Sequence, residues 1–271
     1  MDDVEITYRE TAPVTTGFYL GVDLGQAADY SAVVVDERTE ARVLTLKRKP
    51  WQPTPIEAGW RPIVRHRIRY IHRYVLGTSY PDIVASTSRL LAQLPEMRDR
   101  PETWIDATGV GRAVLDIFTE AKLNPVGVAI TAGATAHRVS QSDIRIPKRE
   151  LASLMQAVLQ SGRIEIARDL AHSRTLEDEL SNFRVKLSAG GNETYEGRSG
   201  VHDDLVLALA IAVWAAEKKD SGPGSAFLGL AKRQLEEYQG SNGGPAEPVR
   251  PTYQPGSVEF AQQQAEIAAK S

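Results

Sequence analysis

The spacing of apolar and polar positions divides the chain into a strand-rich beginning and a later stretch where strands and helices alternate. Residues 1–16 hold no sustained pattern and read as an N-terminal arm. Phe18 to Asp23 is apolar, Tyr30 to Val35 is rich in β-branched residues, and Arg42 to Leu46 alternates, so three strands are expected. Gly25 to Asp29 and Asp36 to Ala41 supply the turns between them, which makes Asp29 and Asp36 turn or strand-end residues. Links this short favour antiparallel pairing. Trp51 to Arg61 lies among Pro50, Pro53, Pro55 and Pro62 and reads as an irregular loop. Val64 to Tyr70 alternates sharply, with Arg65, Arg67 and Arg69 on one face and Val64, His66, Ile68 and Tyr70 on the other.

From residue 81 the period lengthens. Pro81 suits a helix start, and Ile83 to Leu94 is amphipathic. Thr103 to Asp106 reads as a strand, Arg112 to Ala121 as a helix and Val126 to Ile130 as a strand. Pro147 opens a helix through Gln160, and Leu170 to Ser181 is another. Asn182 to Leu187 and Glu193 to Tyr195 flank Ala189-Gly190-Gly191-Asn192, a hairpin signal. Asp203 to Lys218 is a last, apolar helix, and residues 218–271 turn to Gly, Pro, Ser and Gln, as in a flexible C-terminal tail. Antiparallel strands followed by strands alternating with helices predict an α/β domain over residues 17–217. Its mixed central sheet, antiparallel first and then parallel, is flanked by helices.

Composition narrows the chemistry. A chain of 271 residues, 42% of them hydrophobic, builds such a core without covalent staples. It has no cysteine, which excludes disulfides and cysteine-ligated zinc or iron–sulfur sites. No apolar run nears the ~20 residues needed to span a bilayer, and Met1-Asp2-Asp3 opens no signal core. A cytoplasmic protein without a membrane partner is expected. The net charge of −3 argues against blanket affinity for nucleic acid, but it hides an asymmetry. Between Arg42 and Arg73 lie Lys47, Arg48, Lys49, Arg61, Arg65, Arg67 and Arg69, with Glu57 the only acid. A local basic stripe is a footprint for nucleic acid; charges on an edge strand also protect it from aggregation.

Acids stand at three chemically telling places. Asp23 ends the first apolar strand, Asp106 ends the strand Thr103 to Asp106, and Asp203-Asp204 opens the last helix. Carboxylates at strand ends suit a hard divalent cation, which takes oxygen ligands. Two such ions about 4 Å apart clamp the attacking and leaving oxygens of a phosphodiester. A metal-dependent nuclease is therefore expected, with Asp29 a further candidate ligand. Helix capping would account for one of Asp203 and Asp204. Ala208, Ala212 and Ala215 form a small-residue stripe in register with Asp204, so this helix can sit close on the sheet and carry Asp204 toward the strand tips. Asp203, aligned with Leu207, Ile211 and Trp214, remains the alternative. His202, Lys148 and Arg149 at a helix start, and Arg184 and Lys186 on the hairpin are candidates for phosphate contact. Asp106-Ala107-Thr108-Gly109-Val110-Gly111 is phosphate-loop-like, yet no Gly-Lys dipeptide exists and no Walker A motif with it.

Four stretches together resemble the C-terminal nuclease domain of phage terminase large subunits: Gly21-Val22-Asp23-Leu24-Gly25, Ile105 to Gly111, Ile146-Pro147-Lys148-Arg149-Glu150-Leu151, and His202 to Ala210. The resemblance implies a ribonuclease H-like fold and an acidic set of Asp23, Asp106 and Asp203 or Asp204. It also implies two Mg²⁺ or Mn²⁺ ions, one activating water and one stabilising the leaving 3′ oxygen. Double-stranded DNA would be the substrate during viral genome packaging in a bacterial host. The partners implied are a separate terminase ATPase or small subunit and a portal, because only about 16 residues precede the Asp23 strand and no motor is expected in this chain. Two related readings compete. Holliday-junction resolvases often place a second acid three residues on in the last helix, where this chain has Leu207. An actin- or sugar-kinase-like ATPase would use Gly21 to Gly25 as a phosphate hairpin. A non-catalytic DNA-binding protein is the third alternative, disfavoured because acids clustered without metal repel each other and DNA.

Overall fold

The computed structural model describes residues 4–25, 29–48, 51, 56–93, 101–109, 111–187, 193–196 and 203–218. The first strands are β1 (Val4–Glu10), β2 (Val14–Asp23), β3 (Ala32–Arg48) and β4 (Ile56–Arg73). Helix α1 (Tyr80–Gln93), strand β5 (Glu102–Asp106), helix α2 (Arg112–Glu120) and strand β6 (Val126–Thr131) follow. Then come β7 (His137–Arg138), β8 (Asp143–Pro147), α3 (Lys148–Gln160), β9 (Ile164–Ile166) and α4 (Ser173–Asn182). The hairpin β10 (Arg184–Leu187) and β11 (Glu193–Glu196) and the long helix α5 (Asp204–Lys218) complete the described chain.

One sheet runs β7-β8-β6-β5-β2-β3-β4-β9, with β1 added to β3. Strands β2, β3 and β4 pair antiparallel, and β5 then joins β2 in parallel, followed by β6. This is the ribonuclease H-like strand order, a mixed sheet with helices on both faces. Buried residues of α3, α4 and α5 pack on the face that carries Tyr19, Ile71 and Trp104. Those of α1 and α2 pack on the face of Leu20, Val22 and Ile105. Helix α5 is apolar on every side and buried from Asp204 to Glu217, as a helix enclosed by sheet and neighbouring helices must be.

Several expectations from the chain pattern change. Residues Asp36 to Ala41 are not a turn but the middle of β3, which runs unbroken for 17 residues. Their polar side chains find partners on the neighbouring strands. Asp36 meets His66, Glu37 accepts a hydrogen bond from Thr15, and Arg38 donates to Thr16. Strand β1 lies inside the stretch expected to be an arm and pairs with the far end of β3, Val4 opposite Arg48. Strand β4 begins at Ile56, within the expected loop, and tolerates Pro62 because β9 reaches only His66 to Ile68 on its outer edge. Helix α4 starts three residues later than the pattern suggests, after His172 in the left-handed region at φ 61°. The short strands β7, β8 and β9 had no distinct signal. Residues 219–271, including the expected tail, and the turn residues 188–192 lie outside the described residues.

The close seating of α5 depends on Gly21. A Cβ there would stand 2.0 Å from the Ala208 carbonyl oxygen and 3.0 Å from the Ala212 Cβ. The small-residue stripe on α5 thus meets a glycine on β2. Gly21→Ala should lower the unfolding free energy by about 1–3 kcal/mol through overpacking, read from urea denaturation. An unchanged midpoint would mean that α5 can lift away without cost.

Candidate active site

The register of the sheet lines up the charged tips. Asp23, the last residue of β2, pairs with Ala32 at the start of β3, and Ala32 pairs with Arg73 at the end of β4. On the other side Val22 pairs with Ile105 in parallel, which brings Asp106 beside Asp23. Side chains alternate along a strand. Tyr19 and Trp104 face α5, and Asp23 and Asp106 follow them at even spacing onto that same face. The N-terminus of α5 stands over this row and adds Asp203 and Asp204. Asp204 is buried, whereas Asp203 keeps partial exposure.

Cations flank the carboxylates at both ends. Lys148 Nζ, in the first turn of α3, lies 3.6 Å from Asp203 Oδ2. Arg73 Nη2 lies 3.5 Å from Asp204 Oδ2 and also pairs with Glu179 of α4. Glu179 Oε2 in turn accepts hydrogen bonds from the Leu205 and Val206 backbone N–H groups at 3.0 and 3.1 Å, which caps α5. Burial first, and then the charges of Asp106, Asp204 and Asp203, hold the Asp23 carboxyl well above the ordinary range, against the pull of Lys148. Asp23 as a residue is half-buried. Asp106 is raised by burial, opposed by the Thr108 hydrogen bonds and by Lys148. The Thr108 N–H donates to Asp106 Oδ1 at 2.8 Å, and Thr108 Oγ1 accepts from the Ile130 N–H at 2.9 Å, so the loop after β5 fixes that carboxylate.

Not every candidate joins this row. Asp29 is exposed in the returning loop, whose carbonyls crowd Gly25 so closely that a Cβ there would lie 2.3 Å from two of them. Arg149 is exposed and donates to the Ala134 carbonyl at 2.7 Å. His202 and the side chains of Arg184 and Lys186 lie outside the described residues. The arginine stripe is separated from the acids. Arg65 pairs with Glu10 and Glu165, Arg67 with Glu165 and Arg69 with Glu37. A register shift between Val35 and Asp36 divides β4, so that His66 and Ile68 before it and Ile71 and Arg73 after it all face α5. Arg65 and Arg67 consequently project from the opposite face.

The pattern in the sequence missed two groups. Arg73 and Glu179 carry no motif, and only register and packing bring them to the acids. Asp36, His66 and Glu217 form a buried chain: His66 Nδ1 is 2.7 Å from Asp36 Oδ2, and Nε2 is 2.9 Å from Glu217 Oε1. Arg163 donates to the same Glu217 oxygen at 2.6 Å. The strand alternation put His66 on the inward face, which was the one available signal.

A donor set made only of carboxylate oxygens fits a hard divalent cation. Like charges crowded around Asp23 are the condition that a bound cation relieves. Among the described residues, no three acids, histidines or cysteines are arranged closely enough to hold a metal ion between them as they stand. Likewise, no helix of the described residues is long and apolar enough to cross a membrane.

No protein-family model matches the chain. The terminase large subunits of Thermus virus P23-45 and Thermus phage G20c are each 23% identical to it over 203 residues, covering 75% of this chain and 32% of theirs. The chain therefore spans about a third of the length of these relatives. Among solved structures, the large terminase nuclease of thermophilic phage G20c with bound magnesium aligns at a TM-score of 0.46 and 22% identity. The alignment covers 76% of this chain and 88% of that one. The human cytomegalovirus terminase nuclease domain, soaked with manganese, aligns at a TM-score of 0.42 and 13% identity, covering 76% and 85%.

Proposed function

We propose that this chain is a metal-dependent DNA endonuclease of the phage terminase large-subunit type, cutting viral DNA during packaging. The observation that carries this reading is the convergence of Asp23, Asp106, Asp203 and Asp204 at one end of the sheet, where burial and then their mutual repulsion lift Asp23. Sequence similarity to two terminase large subunits supports the biological setting. In this reading Asp23 and Asp106 hold the cations from the strand tips, and α5 brings a third carboxylate. Mg²⁺ or Mn²⁺ ions supply charge neutralisation at the phosphodiester and lower the cost of ionising water. Lys148, beside Asp203 at the rim, is placed to hold a backbone phosphate. Arg65, Arg67 and Arg69 stand outside this reading because they face away and already meet carboxylates. The resolvase alternative gains nothing from Leu207, which is buried in α5. A terminase ATPase or small subunit and a portal are the partners this reading implies.

Supercoiled plasmid incubated with the protein in Mg²⁺ or Mn²⁺ should be nicked or linearised. EDTA should stop the reaction, and Asp106→Ala should lack it. Intact plasmid under both metals, with folded protein, would remove the nuclease reading for the chain acting alone and would call for an ATPase assay. Cleavage by Asp106→Ala at the wild-type rate would leave the activity and reject Asp106.

A further inference from the structure

Arg73 is the least expected member of the row. Its guanidinium side chain is 15% exposed and stands between two carboxylates that are more deeply buried, Glu179 at 4% and Asp204 at 9%. The Tyr30 ring lies 5.0 Å from its guanidinium carbon. Glu179 is fixed independently, since it caps the first turn of α5 through two backbone N–H groups. A guanidinium held by a fixed acid is therefore presented to Asp204 at the helix start. Five carboxylates, Asp23, Asp106, Asp203, Asp204 and Glu179, here meet two cations, Lys148 and Arg73. A cation that takes Asp204 as a ligand enters beside a positive charge already there.

We propose that Arg73, anchored by Glu179, is a built-in counter-ion for Asp204: it stabilises the buried carboxylate when no divalent ion is bound and weakens the site's hold on that ion. Arg73 is thus a positioning residue that sets cation affinity. This inference rests on the metal-site reading above. A positive charge within a few ångströms of a partly buried ion opposes it far more strongly than the same charge would in water. Weak binding also has a chemical use, because a site that releases its ion readily limits cutting to conditions that supply it.

The test is thermal unfolding of the purified chain in EDTA and across a Mn²⁺ titration, with calorimetric Mn²⁺ binding on the same samples. Arg73→Gln should melt lower than wild type in EDTA and gain more from Mn²⁺, with its Kd tightened on the order of tenfold. Arg73→Lys, which keeps the charge, should bind Mn²⁺ as wild type does. If Arg73→Gln is unfolded in EDTA, Mn²⁺ should refold it, and failure to refold would overturn the proposal. Equal or weaker Mn²⁺ binding by Arg73→Gln would also overturn it, leaving Arg73 a purely structural clamp. If Mn²⁺ binds neither wild type nor variant, the metal-site reading fails and takes this inference with it. Wild-type binding without a gain in Arg73→Gln rejects the counter-ion role alone.

Discussion

Asp23→Ala should reduce plasmid cleavage on the order of 10³-fold while raising the melting temperature of the metal-free protein. The loss follows from the position of Asp23. It lies between Asp106 on β5 and the acids opening α5, so its removal takes out the central carboxylate of the set. Metal assistance is worth several kcal/mol of transition-state stabilisation, and each ~1.4 kcal/mol is tenfold in rate. The gain in stability follows from the direction of the Asp23 shift. Burial and like charge hold its carboxyl above the ordinary value, so the folded state takes up its proton more readily than the unfolded chain does. Above the unfolded value of about 3.9, folding must therefore bear a disfavoured charge, and below it that cost disappears. In EDTA the variant should be more stable than wild type at pH 7, with the difference closing toward pH 4. Differential scanning measurements across that range check this. A variant that cuts at the wild-type rate would show that Asp23 is not a ligand, and one less stable at pH 7 would show that its charge is well compensated.

His66→Leu should cost about 3–5 kcal/mol of stability at pH 6.5, the expected loss when one partner of a buried ion pair is removed. His66 is fully buried between Asp36 on β3 and Glu217 near the end of α5. Burial by itself would lower its pKa, but Asp36 and Glu217 outweigh that and push it up to about 9. Burial also raises Asp36, whereas Glu217 is lowered because His66 and Arg163 together overcome its burial. The imidazolium is therefore the charged form at neutral pH. Its folded value exceeds the ordinary 6.5, so its contribution is complete below pH 6.5 and is lost as pH rises through 9. Wild type should lose on the order of 3 kcal/mol over that interval, and His66→Leu should lack the slope. Urea denaturation at pH 6.5, 8 and 9.5 measures both. Restoring stability with His66→Leu/Asp36→Val would attribute the loss to the stranded carboxylate rather than to packing. A single variant with wild-type stability would mean that solvent reaches the cluster.

Much of this protein is written locally. The apolar runs ending in Asp23 and Asp106, the helix opening at Asp203-Asp204 and the order of strands and helices are carried by short-range periodicity. The fold class and the four acids were legible from these alone. The small-residue stripe on the last helix even anticipated its close seating, which Gly21 makes possible. The interior of β3 was not legible. Asp36 to Ala41 looks like a turn because polar residues in a strand need partners, and those partners, Thr15, Thr16 and His66, are distant in sequence. The same holds for the arginines. Simple alternation puts Arg65, Arg67, Arg69 and Arg73 on one face of a strand. The register shift opposite Val35 and Asp36 breaks that alternation, leaving Arg65 and Arg67 against acids on one face and turning Arg73 to Asp204 on the other. A strand's period is a property of its own residues. Its register, and hence the face each charge takes after a bulge, depends on the neighbouring strand, and so only the assembled sheet decided which cations share the site with the four acids.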